Sequence, residues 1–539
     1  MSLIGELSSH FEAVNMTVPP RILQKCEELC TTYNIDSEDF VDLWLAYTAS
    51  NLNGAPPSLD ALDRLERKEL KNQKQAINAS KTEPVEEVMD VAPLPQDEVH
   101  EESFIVEERP TNVPCEDFLN RNNACSVLLR FGDCEGKFKD RCKGKLVIKV
   151  QNEEIAKCKY MTESYLDKSS ALCEMSRFVI VDIIKRHNLE LTYEKLNTYS
   201  PEMTVCGKLY SNADDELEPN SIELEGHPDV YKGKTIKLNL SKLDKMSLFS
   251  GQNVIICGQG MISTFMVEKI YTGDPLPKPQ TAISLNETLQ IVVAAGPFTL
   301  SDNLLYEPLD SLLKYVVQFK PNLLVLMGPF VDKSHSCLKA LNETYDSFFE
   351  NIISGVMERL KGTGVHVVLV PSHKDAHNHV IFPSIPFKLR RRYENLHLVP
   401  NPFILDIGGV TIGGSTADIL FHLSKAECSK GTHDVPRVDR LISHIFHQRC
   451  FYPLYPPDND IRVDHGLVEQ HAMLETAPDI MFLPSRLKHF VKVCEDSVVV
   501  NPASLSKGNS AGSFARLEVR AKGAQRPLNE RISCQIHLV

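Results

Sequence analysis

Over the first 75 residues, apolar positions recur three and four apart. Ile4, Leu7 and Phe11 share one helical face, and Ile22, Cys26 and Leu29 share another. A third segment opens at Asp36-Ser37 and carries Phe40, Leu43 and Leu45. Pro19-Pro20 and Pro56-Pro57 punctuate the set, and Ser58 stands where an N-cap would open a last helix. The spacing predicts a small bundle of about four helices over 1–75.

The periodicity then stops. From Thr82 to Pro110 there are ten acidic residues, four prolines and one basic residue, Arg109. Such a stretch carries too little apolar surface to offset the entropy of ordering it. An acidic, disordered tether is expected over 76–125, with its core at 76–112. Its apolar centre, Ser103-Phe104-Ile105-Val106, reads either as an interaction motif or as part of a solvated linker.

From about 125 the period shortens to two. Leu146–Val150 alternates, and a helical stretch follows at about 162–188. Strands are expected at 203–209, 220–225, 235–240, 253–258 and 261–270, with a short helix at 241–249. Five short strands with a helix between the third and fourth is the order of an oligonucleotide/oligosaccharide-binding (OB) barrel. With its preceding strands and helix this domain is placed at 126–280. From Thr288 helices and strands alternate: a strand at Leu289–Ala295, a helix at 306–319, a strand at 322–328, a long helix at 338–361 and a strand at His366–Val370. Strands at Phe403–Ile407 and Val410–Ile412, a helix at 433–447 and late strands at 480–483, 497–500, 513–520 and 531–538 complete an α/β layered sandwich over 281–539.

Charge and cysteine content narrow the functions open to this chain. The net charge is −14, which argues against a dominant grip on nucleic acid. The barrel region from Pro201 to Pro275 has seven lysines, no arginine and eleven Asp or Glu, a composition suited to a protein-facing barrel, and leaves any DNA contact weak or indirect. Fifteen cysteines make no C-x-x-C pair, so no zinc ribbon is expected, and reduced intracellular thiols are. No apolar run reaches membrane-spanning length and no signal peptide is visible, so no membrane role is expected. Lys388–Arg392 is the only notable basic cluster.

The candidate chemistry lies where the α/β strands end. The strand Asn322–Met327 runs into Gly328-Pro329-Phe330-Val331-Asp332. This resembles the strand-G-D-x-x-D element of the calcineurin-like metallophosphoesterases, whose two metals clamp the attacking and leaving oxygens. Proline stands in place of the bridging aspartate and offers no donor atom, while Asp332 falls at the second acidic position. The first motif, D-x-H, is replaced by Ala295-Gly296-Pro297-Phe298. The third, G-N-H-D, becomes Pro371-Ser372-His373-Lys374-Asp375, and Asn501-Pro502 follows a late strand where G-H-x-H would stand. Gly296, Pro297, Pro329, Asp332, Ser372, His373, Asp375 and Asn501 are therefore degenerate former metal positions, with no catalytic residue and no cofactor expected. His373, Asp375, His377 and His379 cluster, and read either as a surviving single-metal site or as a polar loop.

These departures form a pattern of their own. G-P-F-x-D at 328–332, P-S-x-x-D at 371–375 and H-x-x-x-x-Y-P-L-Y-P-P at 447–457 resemble the B-subunit family of DNA polymerase alpha–primase. So do V-V-A-A-G-P-F at 292–298 and the run from Asn501-Pro502 through Lys507-Gly508 to S-F-A-R-L-E-V-R at 513–520. The resemblance covers about 200–538 closely, and the N-terminal region agrees in kind. It implies a non-enzymatic nuclear subunit: an OB fold packed on an inactivated phosphoesterase domain, together holding the C-terminal domain of the catalytic subunit. Primase would join through the complex, and the N-terminal module would reach other replication-fork proteins. Ser/Thr-Pro sites that such tethers can carry are missing from 76–112. The alternatives are the accessory B-type subunit of polymerase delta or epsilon, and an active metallophosphoesterase.

Overall fold

The computed structural model describes residues 18–33, a few helical positions between 7 and 62, residues 115–133 and 146–160 and, apart from short gaps, 162–539. The chain divides into two units, Met1–Ile105 and Val106–Val539. In the first, helix α1 (Pro20–Tyr33) buries Leu23, Cys26, Leu29 and Cys30 in one cluster with Leu7, Phe11, Phe40, Val41, Trp44 and Leu62. The rest of the expected bundle, and the tether core at 76–112, lie outside the described residues. Among the described residues no helix is long and apolar enough to cross a membrane.

The second unit holds a barrel and a sandwich. The barrel closes from β1 (Ser200–Ser211), β2 (Ile222–Gly226), β3 (Thr235–Asn239), β4 (Asn253–Gly260) and β5 (Thr264–Tyr271), in the order β1-β2-β3-β5-β4. Closure leaves no free edge. Helix α2 (Tyr165–His187) sends Val179, Ile180 and Ile183 into the barrel core. Its start is fixed by a reciprocal cap: the Ser164 hydroxyl accepts from the Asp167 N–H, and the Asp167 carboxylate accepts from the Ser164 N–H.

The sandwich stacks a seven-stranded sheet on a six-stranded one. At the centre of the first lie three parallel strands, β6 (Leu289–Ala295), β7 (Leu323–Met327) and β8 (His366–Val370), paired in register from Leu323 with Ile291 to Met327 with Ala295 and Val370. Parallel strands covered on both faces need continuous apolar runs, and β6 and β7 are buried at every position. One face packs against the second sheet through Ile291, Val293, Val325, Leu405, Ile412 and Val498. The other packs under α3 (Glu307–Phe319) and α4 (Tyr345–Arg359). Helix α5 (Arg437–His447) and the helix Ile419–Ala426 cover the far side of the second sheet.

Four expectations need correction. Residues 241–249 form a turn and a strand, Met246–Leu248, that pairs with Cys428–Lys430. The strands expected to precede the barrel within 126–280 belong to the sandwich: Val127–Phe131 pairs with Ile532–Leu538, and Ile148–Val150 with Phe403–Ile407. The end of the expected tether, 115–125, is folded, with Cys115 N–H donating to Glu307 Oε1 and Phe118 buried. The helix expected at 338–361 is a 3-10 turn, Ser336–Ala340, followed by α4, whose N-cap is Thr344.

Candidate functional site

Because β6, β7 and β8 are parallel and in register, the three loops that follow them leave the same sheet edge side by side. Main chain fills the space between them. The Gly296 N–H donates to Met327 O, and a Cβ at Gly296 would stand 2.0 Å from Pro329 O. A Cβ at Gly328 would stand 2.5 Å from the Asp375 carboxylate and 3.0 Å from Ser372. Pro297 and Pro329 place rings, not donors, in these loops.

Asp375 is fully buried and accepts three backbone N–H groups, from Phe330 at 2.5 Å, Val331 at 3.1 Å and Ser372 at 2.9 Å. Burial raises its carboxyl to about 7 against the pull of those donors. The carboxylate thus ties the second loop to the third. Asp332 bridges to Asp375 through backbone, and its carboxylate accepts from the Ser334 N–H and hydroxyl. Ser372 Oγ accepts the Lys374 N–H. Asn501 sits on another strand end, where its Oδ1 accepts from the Ser485 and Ala503 N–H groups and its Nδ2 donates to Leu487 O and Lys488 O.

The 373–379 cluster does not converge. Asp375 is spent on backbone, and both ring nitrogens of buried His373 lack a hydrogen-bond partner. Burial, helped by Lys374 and Lys333, lowers His373 to about 3. His377 stacks on Phe349 at 4.0 Å and on Phe387 at 5.0 Å, in a three-ring cluster whose two phenylalanines are 4.6 Å apart, and burial lowers it to about 4. His379 packs on Tyr160.

Among the described residues, two other groups bring metal-binding side chains within 4.8 Å: Cys173, His227 and Asp229, and His422, Asp458 and Asp460. Cations already hold their carboxylates. Arg177 pairs with Asp229, Lys425 with Asp458, and Arg486 with Asp460 at 2.8 Å. Neither group has a local signature that sequence reasoning could find, because each draws on segments far apart in the chain.

Three family models match the chain. The model for the DNA polymerase alpha/epsilon B subunit covers 291–492, that for the OB domain of the DNA polymerase alpha B subunit covers 174–273, and that for the N-terminal region of the DNA polymerase alpha B subunit covers 5–72. The chain is 31% identical over 427 residues to the DNA polymerase alpha B subunit of Mus musculus, spanning 76% of this chain and 71% of that one. The chain belongs to the DNA polymerase alpha B-subunit family. The Drosophila melanogaster member is 37% identical over 344 residues, 62% of this chain and 55% of its own length, so the match spans about half of that relative. The Schizosaccharomyces pombe member is 30% identical over 407 residues, 70% of each chain. A solved Vps29 from Entamoeba histolytica, complexed with zinc, covers 46% of this chain at 10% identity, with a TM-score of 0.20 that bears no weight.

In this member of the B-subunit family the barrel and the sandwich are fastened by named contacts. The Gln448 side chain, at the end of α5, donates to Asn253 O and Thr272 O and accepts from the Asn253 N–H, gripping β4 and the chain after β5. Gly251, at φ +89, lies so close to Tyr455 that a Cβ would meet its backbone N at 2.5 Å. Burial opposes the charge on Glu427, but the nearby His444 ring and hydrogen bonds from Arg440 and Ser247 hold its carboxyl well below the usual range. The Ser247 hydroxyl donates to it from the barrel side at 2.6 Å. The Y-P-L-Y-P-P run belongs to this joint. Phe451 and Tyr452 are buried, while the Tyr455 ring lies near the Lys168 and Lys208 ammonium groups, at 5.3 and 5.2 Å.

Proposed function

We propose that this chain is a non-catalytic accessory subunit of DNA polymerase alpha–primase, acting in the nucleus at the start of DNA synthesis. Its barrel and an inactivated phosphoesterase-type sandwich, residues about 160–539, bind the C-terminal domain of the catalytic subunit. Primase joins through the complex. A helical N-terminal module, 1–75, reaches other replication proteins across the acidic segment. The observation that carries this reading is the state of the strand-end loops. Where two metals would sit, Gly296 lies against Pro329, and Asp375 serves as a backbone anchor. A large scaffold kept without metal ligands is explained by contact with a partner. The rigid joint through Gln448, Gly251 and Glu427 supports it, since a platform for a partner needs its two lobes fixed.

The test is co-expression of a 160–539 fragment with the catalytic subunit's C-terminal domain. A complex that survives high salt and melts above either part supports the reading. Failure to co-purify, or stoichiometric manganese or zinc with phosphodiester turnover lost in His373→Ala, overturns it.

A further inference from the structure

Beside the start of α4 and the 376–379 segment lies a groove of about 690 Å³, within the usual range for ligand sites. Its lining mixes the apolar side chains of Leu338, Leu341, Ile385 and Phe387 with the polar Asn378 and His379 and the cationic Lys339 and Lys388. Tyr345, also lining it, remains 39% exposed. Glu343 and Asp346 occupy the α4 side.

From Lys388 the chain runs into a ridge of cations. Lys388, Arg390, Arg391 and Arg392 are all exposed. Among the described residues, the only one of the four in an ion pair is Arg390, which meets Glu350 at a loose 3.8 Å. The ridge is pinned from below. Leu389 and Tyr393 pack against the sandwich core, the Tyr393 hydroxyl lies 3.1 Å from Ser354 Oγ, and the Arg390 N–H donates to Glu350. A chain of net charge −14 therefore presents four exposed cations on a pinned backbone that continues from Lys388 in the lining of a partly apolar groove.

We propose that this groove and ridge form a docking site for a short acidic peptide segment of another protein. One bulky apolar side chain enters the groove beside Leu341 and Tyr345, and flanking carboxylates lie over residues 388–392. Charge complementarity chooses this occupant over a nucleic acid. A continuous phosphate backbone crossing the groove would run against Glu343 and Asp346, whereas a peptide places its carboxylates at the basic end only. Because the backbone of the ridge is folded and pinned, binding there costs side-chain freedom only and no loop ordering.

The test uses the full chain and a fluorescein-labelled peptide of glutamates flanking a single phenylalanine, read by anisotropy. Saturable binding that weakens with salt is expected. Lys388→Glu with Arg391→Glu and Arg392→Glu should weaken it by about tenfold or more, a loss of ~1.4 kcal/mol or greater. Tyr345→Ala should weaken it without changing the salt dependence. Thermal melting of the triple charge variant should match the parent, since those side chains are exposed, and Tyr345→Ala is compared at a temperature below the onset of its own melting. No saturable binding at low salt overturns the proposal. So does equal affinity for a polyglutamate lacking the phenylalanine, or tighter binding of a single-stranded oligonucleotide through the same arginines.

Discussion

Gln448→Leu is the sharpest probe of the joint between barrel and sandwich. Leucine keeps most of the volume at a position that is 2% exposed, so the change is chiefly the loss of polar contacts. Three hydrogen bonds vanish: those to Asn253 O and Thr272 O, at 2.9 and 2.8 Å, and that from the Asn253 N–H, at 2.8 Å. Each bond contributes about 1 kcal/mol net, and a buried group left without a partner costs about 1–3 kcal/mol. The three together should cost about 3–6 kcal/mol, a large share of the roughly 5–15 kcal/mol that separates folded from unfolded protein. Native-state hydrogen exchange read by mass spectrometry locates the loss. Protection should fall in Asn253–Gly260 and in Arg437–His447 together, while β6, β7 and β8 keep theirs. Urea unfolding followed by circular dichroism should broaden or split as the lobes uncouple. A midpoint shift worth less than about 1 kcal/mol, with unchanged exchange in both segments, would refute the reasoning that one side chain fastens the lobes.

Gly251→Ala should destabilise the same joint by about 2 kcal/mol or more, because the positive φ and the Tyr455 backbone both exclude a Cβ; thermal melting checks it. Pro329→Asp should not restore metal binding, since Gly296 is packed against residue 329 and no second ligand set converges; elemental analysis after manganese dialysis should find no bound metal. Stability should rise as pH climbs from about 4.5 to about 6.5. His373, His377 and His465, lowered by burial to about 3, 4 and 4, stay neutral in the fold while the unfolded chain takes up their three protons below the ordinary histidine value. Asp375, raised by burial to about 7, acts in the opposite sense with one proton held only by the folded state, so these four groups give a ceiling of about 2.7 kcal/mol per pH unit. Asp375→Asn should steepen that rise while lowering stability at pH 7, which urea titrations across pH would read.

Much of the sandwich was legible because its central strands are continuous apolar runs. Leu323–Met327 and Leu289–Ala295 admit few other readings once helical patterns flank them. The barrel strands were legible through alternation. Ser241–Phe249 was not, because its lysines and apolar residues have helical spacing, whereas its conformation is set by Cys428–Lys430, about 180 residues later. The same blindness misplaced Val127–Phe131 and Ile148–Val150. That Gly296, Pro297 and Pro329 bring no side-chain donor to the strand ends could be read directly from the sequence. The contacts of these loops could not. The three N–H groups on Asp375, the stacking of His377 and the grip of Gln448 on β4 are tertiary facts with no local signature.

The pairing of Val127–Phe131 with Ile532–Leu538 has a consequence for synthesis on the ribosome. Val127 lies opposite His537, and β6, at the centre of the same sheet, is bordered on one side by Ser513–Val519. The first sheet therefore cannot be completed until Ile532–Leu538 has left the exit tunnel. The barrel needs only residues up to Tyr271 and can close far earlier. During the interval β6, β7 and β8 stand with an apolar open edge, the kind of surface that aggregates or recruits chaperones. A ribosome stalled before residue 513 should thus carry a finished barrel attached to an unfinished sheet.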